Sequence, residues 1–428
     1  MHPSLSICSL AVLFTSATLS LAADTNSAPA LPRADANGNP IRRVPTSHVS
    51  NYDEAKVGTF TLPDPLVLHS GPPVRDAETW LKQRRPEILK LYETEIYGRV
   101  PDHPPTLKFE AAATEANTLN GLAVRKEIVG RIGDKADGPR VNLVLYLPAK
   151  ATGPVPVLLH LLFGNPPTNA SSATSTNLSH PAEAGPIADI LARGYGYAMF
   201  HYTEIEGDLR TNNLSLVRKL ALAPGQTQPA AAEWGTITAW AWGASCVLDY
   251  LEANRAVDAR RVALIGHSRL GKTALWAGAR DPRFALVFSS CSGEMGASLA
   301  RRDFGETVDD VIANFPWWLA GNFQKYSGRW NDLPVDSHLL IALNAPRPVF
   351  ITGGTKDQWA DPRGMFLAEL AAGPVYRLLG KKGLGTNEMP LDTPLITSEL
   401  GFLCHTGGHS LTADDWNTFL DFADQHLK

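Results

Sequence analysis

The chain alternates between two hydrophobic patterns. Short, nearly continuous apolar runs recur, and longer stretches between them bring apolar residues back every three or four positions. The runs are 155–163 (VPVLLHLLF), 195–202, 262–265, 285–290 and 348–353 (PVFITG), with a last short one at 401–404. Runs of this length without polar alternation suit strands buried on both faces. Helical spacing appears at 187–193, at 231–254 with Trp234, Trp240 and Trp242, from Lys272, from Asp361 and over 414–427. Upstream, 76–97 has helical spacing with Pro86 as the expected break. Residues 109–132 and 141–147 (VNLVLYL) read as strands.

Strands alternating with helices predict an α/β protein, a three-layer αβα sandwich around a mostly parallel sheet. No repeat or linker divides the chain, so 23–428 reads as one domain, with 23–60 as an N-terminal strap. Long loops then fall over the carboxyl ends of the strands, where open α/β sheets bind ligands.

The stretch 261–278, RVALIGHSRLGKTALWAG, organises the rest. A β-branched run breaks at Gly266-His267-Ser268-Arg269-Leu270-Gly271 and resumes as a helix. A sharp strand-to-helix turn of this kind lifts a serine to the end of a parallel strand as a nucleophile. The common elbow is G-x-S-x-G, whereas here glycine comes third after the serine. Taken alone, the stretch also fits a βα turn with a serine N-cap.

A serine hydroxyl needs a base, and the base an acid that fixes its tautomer. In the order Ser, acid, His, the acid follows a later strand and the histidine lies near the C-terminus. Asp357 follows PVFITG directly, and His409 lies in a glycine-rich loop before the last helix. His405 is the rival base, Glu294 the rival acid, and Asp361 has the character of a helix cap. Arg269 beside the serine suits either a structural ion pair or oxyanion stabilisation. With Lys272 one turn on, it makes an oxygen-rich acyl group the fitting substrate. The loop 164–181 stands where a second oxyanion donor would sit.

Composition narrows the partners. The 428 residues are 44% hydrophobic and 19% charged with a net charge of −4, a globular balance that argues against nucleic acid. Residues 1–22 read as a secretory signal ending at a small-x-small site, Ser20-Leu21-Ala22, which predicts a secreted or periplasmic protein. No other stretch is apolar enough to span a membrane. Cys246, Cys291 and Cys404 would remain after cleavage, with no C-x-x-C pair and no zinc spacing. Buried free thiols are the expectation, although one disulfide is possible. Nothing in the sequence calls for a metal or an organic cofactor, and a monomer is expected.

GHSRLGK resembles the G-C/H-S-R-x-G-K signature of the glucuronoyl esterases, carbohydrate esterase family 15, in a bacterial form, over most of the chain from about residue 75. The resemblance implies an α/β-hydrolase fold and hydrolysis of 4-O-methyl-glucuronic acid esters, such as lignin–glucuronoxylan linkages. It implies Ser268 as nucleophile, His409 as base and Arg269 at the oxyanion. Lys272, Glu306 and Trp359 would hold the sugar hydroxyls. The fungal acid stands in E-S-G-x-x-G. Here that stretch is Cys291-Ser292-Gly293-Glu294-Met295-Gly296, so Cys291 takes the acid's place, which favours Asp357. The alternatives are an acetyl xylan esterase or general carboxylesterase on the same fold, and a catalytically silent carbohydrate-binding hydrolase fold.

Overall fold

The computed structural model describes residues 33–135, 137–166, 185–209 and 214–428. The expected signal segment 1–22 and most of the loop 164–181 lie outside them.

Among the described residues, nine strands form one sheet: β1 (Leu107–Asn117), β2 (Ala123–Ile132), β3 (Arg140–Pro148), β4 (Val155–Leu162), β5 (Gly196–His201), β6 (Val257–His267), β7 (Leu286–Ser290), β8 (Val349–Gly354) and β9 (Leu400–His405). Their order is β1-β2-β3-β5-β4-β6-β7-β8-β9. The six strands from β5 to β9 in that order run parallel, and β1 to β3 add an antiparallel edge. The apolar run 155–163 is β4, buried along its whole length in the middle of the parallel part. The predicted strand 109–132 is a hairpin, turning at Thr118–Gly121.

Side chains alternate across the sheet. On β6, Val262 and Leu264 enter one core with helices Thr236–Ala253, Arg269–Arg280 and Pro362–Leu378. Ala263 and Ile265 enter the other, beneath helices Ile187–Ala192 and Ala413–Leu427. Period-2 burial on both faces is what the continuous apolar runs demanded. Among the described residues, no helix is long and apolar enough to cross a membrane.

Two expected boundaries moved. Pro86 does not break the helical stretch 77–96. It stands at the start of Arg85–Leu91, directly after the wide π turn Trp80–Arg84. At that junction its missing amide and its ring are tolerated. The helix expected from 231 begins at Thr236. Gly235 passes so close to the Trp318 carbonyl that a Cβ would sit 2.2 Å from it, so the chain before the helix packs as extended backbone. Cys246, Cys291 and Cys404 are free thiols.

The strap is tied down at several points. Asn51 donates to the Asp303 carbonyl at 2.6 Å, Thr46 donates to Asp309 at 2.8 Å, and Arg42 lies 4.7 Å over the Trp359 ring.

Glu369, on helix Pro362–Leu378, is an unforced cost in the core. Its side chain is fully buried, and among the described residues neither carboxyl oxygen has a partner of good hydrogen-bond geometry, although the Gly401 amide leans towards it. Burial raises its carboxyl well above the usual carboxylate range. A raised carboxyl favours the unfolded state at every pH above its unfolded value, and the penalty grows as pH rises towards the folded value. Glu369→Met is therefore expected to stabilise the fold by roughly 1–3 kcal/mol near pH 8 and by less near pH 4. Denaturant unfolding at the two pH values checks this. Equal or lower stability of the variant at pH 8 would contradict it.

Candidate active site

Ser268 sits between β6 and helix Arg269–Arg280 with φ 56° and ψ −126°, a backbone conformation that a non-glycine residue adopts only under strain. Its amide donates to the Ser290 carbonyl at 2.8 Å, fixing the turn to β7. A Cβ on Gly266 would lie 2.0 Å from the Leu270 carbonyl, so only glycine lets the helix fold back there. A Cβ on Gly271 would lie 3.0 Å from both Ser289 Oγ and the Ser290 carbonyl. The unusual spacing thus has a cause. Leu270 turns into the core, and it is the third residue after the serine that faces β7.

Asp357 and His409 come together from separate loops. His409 Nδ1 lies 2.6 Å from the buried Asp357 carboxylate, while the His409 side chain is 43% exposed. Several contacts zip the loops. Lys356 donates its amide to the Gly407 carbonyl at 2.6 Å, Thr355 to the His405 carbonyl at 2.9 Å, and Gly354 packs on the Gly408 carbonyl. The His409 ring lies 4.7 Å from that of His267, the residue before the serine. The Ser268 hydroxyl itself makes no hydrogen bond to a described residue. A nucleophile–base bond often tightens only when substrate is bound.

The rivals are placed elsewhere. His405 is buried, with Nδ1 3.0 Å from Asp415 and Nε2 3.3 Å from the Gly408 carbonyl. Burial disfavours its charged form, but the Asp415 carboxylate outweighs that and holds its pKa above the usual value. It clamps the loop that carries His409 onto the last helix. Glu294 is buried, and burial first, then Asp336 and Glu306, raise its carboxyl well above the usual range. Asp361 is the cap of helix Pro362–Leu378, accepting from the Gly364 amide at 2.9 Å and holding Arg302 at 2.8 Å.

Arg269 forms an ion pair with Asp208. Asp208 also accepts from the Trp317 indole at 2.8 Å, the Trp318 indole at 2.9 Å and the Tyr202 hydroxyl at 3.0 Å. The guanidinium lies 4.8 Å over the Trp318 ring. Its side chain is still 29% exposed, so the ion pair holds a cation that faces solvent beside the elbow. Asp208, Trp317 and Trp318 were not singled out in the sequence. The Trp317-Trp318 doublet inside a polar insertion was the one available signal.

Lys272 is buried, donates to the Ser292 carbonyl at 2.5 Å and stands 3.7 Å from the Glu306 carboxylate. Burial lowers the lysine pKa against the pull of Glu306. Burial raises the Glu306 carboxyl against the pull of Lys272. The Glu306 amide donates to the Trp359 carbonyl at 2.8 Å, and the Trp359 side chain leans towards the Glu306 carboxylate. Lys272, Glu306 and Trp359 therefore form one connected cluster, one helical turn from Ser268 and roofed by Arg42 of the strap.

The strained serine elbow after β6, the carboxylate after β8 and the histidine paired with it before the last helix are the arrangement of an α/β hydrolase. Residues 228–380 match the family model described as glucuronyl esterase, fungi. The carbohydrate esterase MZ0003, from an unknown prokaryotic organism, is 43% identical over 399 residues, covering 88% of this chain and 92% of that protein. The solved glucuronoyl esterase from Solibacter usitatus is 43% identical with a TM-score of 0.82, covering 88% of this chain and 100% of that one. A structure described as a promiscuous CE15 esterase from a marine bacterial metagenome is 41% identical with a TM-score of 0.79, over the same shares. The chain belongs to the glucuronoyl esterases of carbohydrate esterase family 15, and it is a carboxylic ester hydrolase.

Proposed function

We propose that this protein is an exported serine esterase that cleaves esters of 4-O-methyl-glucuronic acid on xylan, including those to lignin alcohols, through an acyl-enzyme. The observation that carries this reading is the bonded Asp357–His409 pair beside a strained elbow serine, with the buried Lys272–Glu306 pair one helical turn away.

Ser268 Oγ attacks the ester carbonyl while His409 Nε2 takes its proton. Asp357 holds the Nδ1–H and stabilises the imidazolium. The tetrahedral oxyanion forms at the start of helix Arg269–Arg280, where the first amides lack intrahelical partners. There Arg269, held by Asp208, supplies fixed positive charge. Collapse expels the alcohol, which takes the proton back from His409. Water then attacks the acyl-enzyme, giving its proton to His409, and free uronic acid leaves with Ser268 restored. Lys272, Glu306 and Trp359 hold the ring hydroxyls during both steps.

Lys272→Met tests the acyl pocket. Loss of one charge-assisted hydrogen bond is expected to raise KM for benzyl glucuronate by roughly 10- to 100-fold, with hydrolysis of para-nitrophenyl acetate nearly unchanged. Equal losses on both esters would remove the sugar-binding role. A broader carboxylesterase remains the second reading, favoured by the neighbour described as promiscuous. Export rests on residues 1–22. N-terminal sequencing of the protein recovered outside the cytoplasm is expected to begin at Ala23, and a chain retaining Met1 there would contradict it.

A further inference from the structure

Three loops bring a thiol, a carboxylate and an imidazole to one point. Cys291 follows β7, Asp357 follows β8 and His409 precedes the last helix. Their ligand atoms all lie within 4.8 Å of one another. Nothing in their sequence spacing resembles a zinc motif, because only the fold gathers them. We propose that Cys291, Asp357 and His409 form a binding site for Zn²⁺ and similar borderline-soft divalent cations, and that the bound cation switches the esterase off.

The donor chemistry selects the ion. One sulfur, one nitrogen and one oxygen, with a fourth position for water, is a set that suits zinc, whereas magnesium takes oxygen ligands. Donors on one tetrahedral zinc lie roughly 3.3–3.8 Å apart. The His409–Asp357 contact of 2.6 Å and the 4.8 Å limit bracket that spacing, so side-chain adjustments of roughly 1 Å bring the set into register. The exposed edge of His409 gives the ion a way in, while Cys291 and Asp357 are buried. The Cys291 thiol makes a weak contact with the Ser410 carbonyl at 3.7 Å.

Burial first, then the Asp357 charge, keeps the Cys291 thiol protonated, well above its ordinary range. A cation reverses that preference. Binding releases the thiol proton and moves the single His409 ring proton from Nδ1 to Nε2, and a protonated imidazolium must first give up a proton, so affinity falls in acid. The same event exchanges the His409–Asp357 hydrogen bond for metal bonds, and with the ring proton on Nε2 the imidazole can no longer act as base. The inhibition rests on the proposed role of His409, but the cation site does not.

Co²⁺ titrated into the full chain tests the site without reference to catalysis. A thiolate-to-cobalt charge-transfer band in the near ultraviolet is expected. Zn²⁺ should displace it, Cys291→Ser should abolish it and Cys404→Ser should leave it intact. Absence of the band, or its survival in Cys291→Ser, would overturn the site. In parallel, Zn²⁺ is added during ester hydrolysis. Cys291→Ser, with basal activity unchanged, is expected to need at least about tenfold more Zn²⁺ for half-inhibition, and Mg²⁺ to have no effect. Equal Zn²⁺ sensitivity in both proteins would overturn the switch. Cys291→Ala repeats both measurements if the serine variant does not fold.

Discussion

Ser268→Ala is expected to lower kcat/KM on benzyl glucuronate by roughly 10⁴- to 10⁶-fold, with the midpoint of thermal unfolding little changed. The size follows from the chemistry. Without Oγ there is no acyl-enzyme, and water would have to attack directly. The residual rate would come only from the oxyanion site and substrate positioning. The fold should tolerate the change, because the Ser268 hydroxyl makes no hydrogen bond to a described residue and the positive φ is retained by alanine. Steady-state kinetics of the purified variant checks this. Activity within tenfold of wild type would remove Ser268 from the mechanism.

Asp357→Asn is expected to cost roughly 10⁴-fold in kcat at neutral pH. The 2.6 Å contact with His409 Nδ1 requires an acceptor on the acid side. An asparagine that turns its amide to Nδ1 donates instead, which places the ring proton on Nε2, where Ser268 needs an acceptor. Glu294→Gln is the contrasting variant. Glu294 is buried within the field of Lys272, and the bonded carboxylate partner of His409 is Asp357, so kcat should stay close to wild type. If Glu294→Gln abolished turnover and Asp357→Asn did not, the acid would be Glu294 and the pairing described here would be idle.

Much of this site was legible because sheet topology and chain order constrain it. Once β6, β8 and β9 were recognised as buried strands, the positions after them could be named without coordinates. The glycine at the third place after Ser268 was visible, but its cause was not. It lies in the distance between Leu270 and β7, which only the packed helix reveals. Asp208 was hidden for a different reason. It sits in a polar insertion with no periodicity, and its role depends on Trp317 and Trp318 more than a hundred positions away. Arg42 over Trp359 is equally non-local. Pro86 misled because a π turn, which has no sequence signature, absorbed it.

The central claim is that this hydrolase reads the acyl side of its ester as a uronic acid. The most direct measurement is kcat/KM of the wild-type protein on benzyl glucuronate set against para-nitrophenyl acetate. A clear preference for the glucuronate, lost in Ser268→Ala, is the predicted result. A preference for the acetate would leave a serine esterase in place and contradict the sugar-binding roles of Lys272, Glu306 and Trp359.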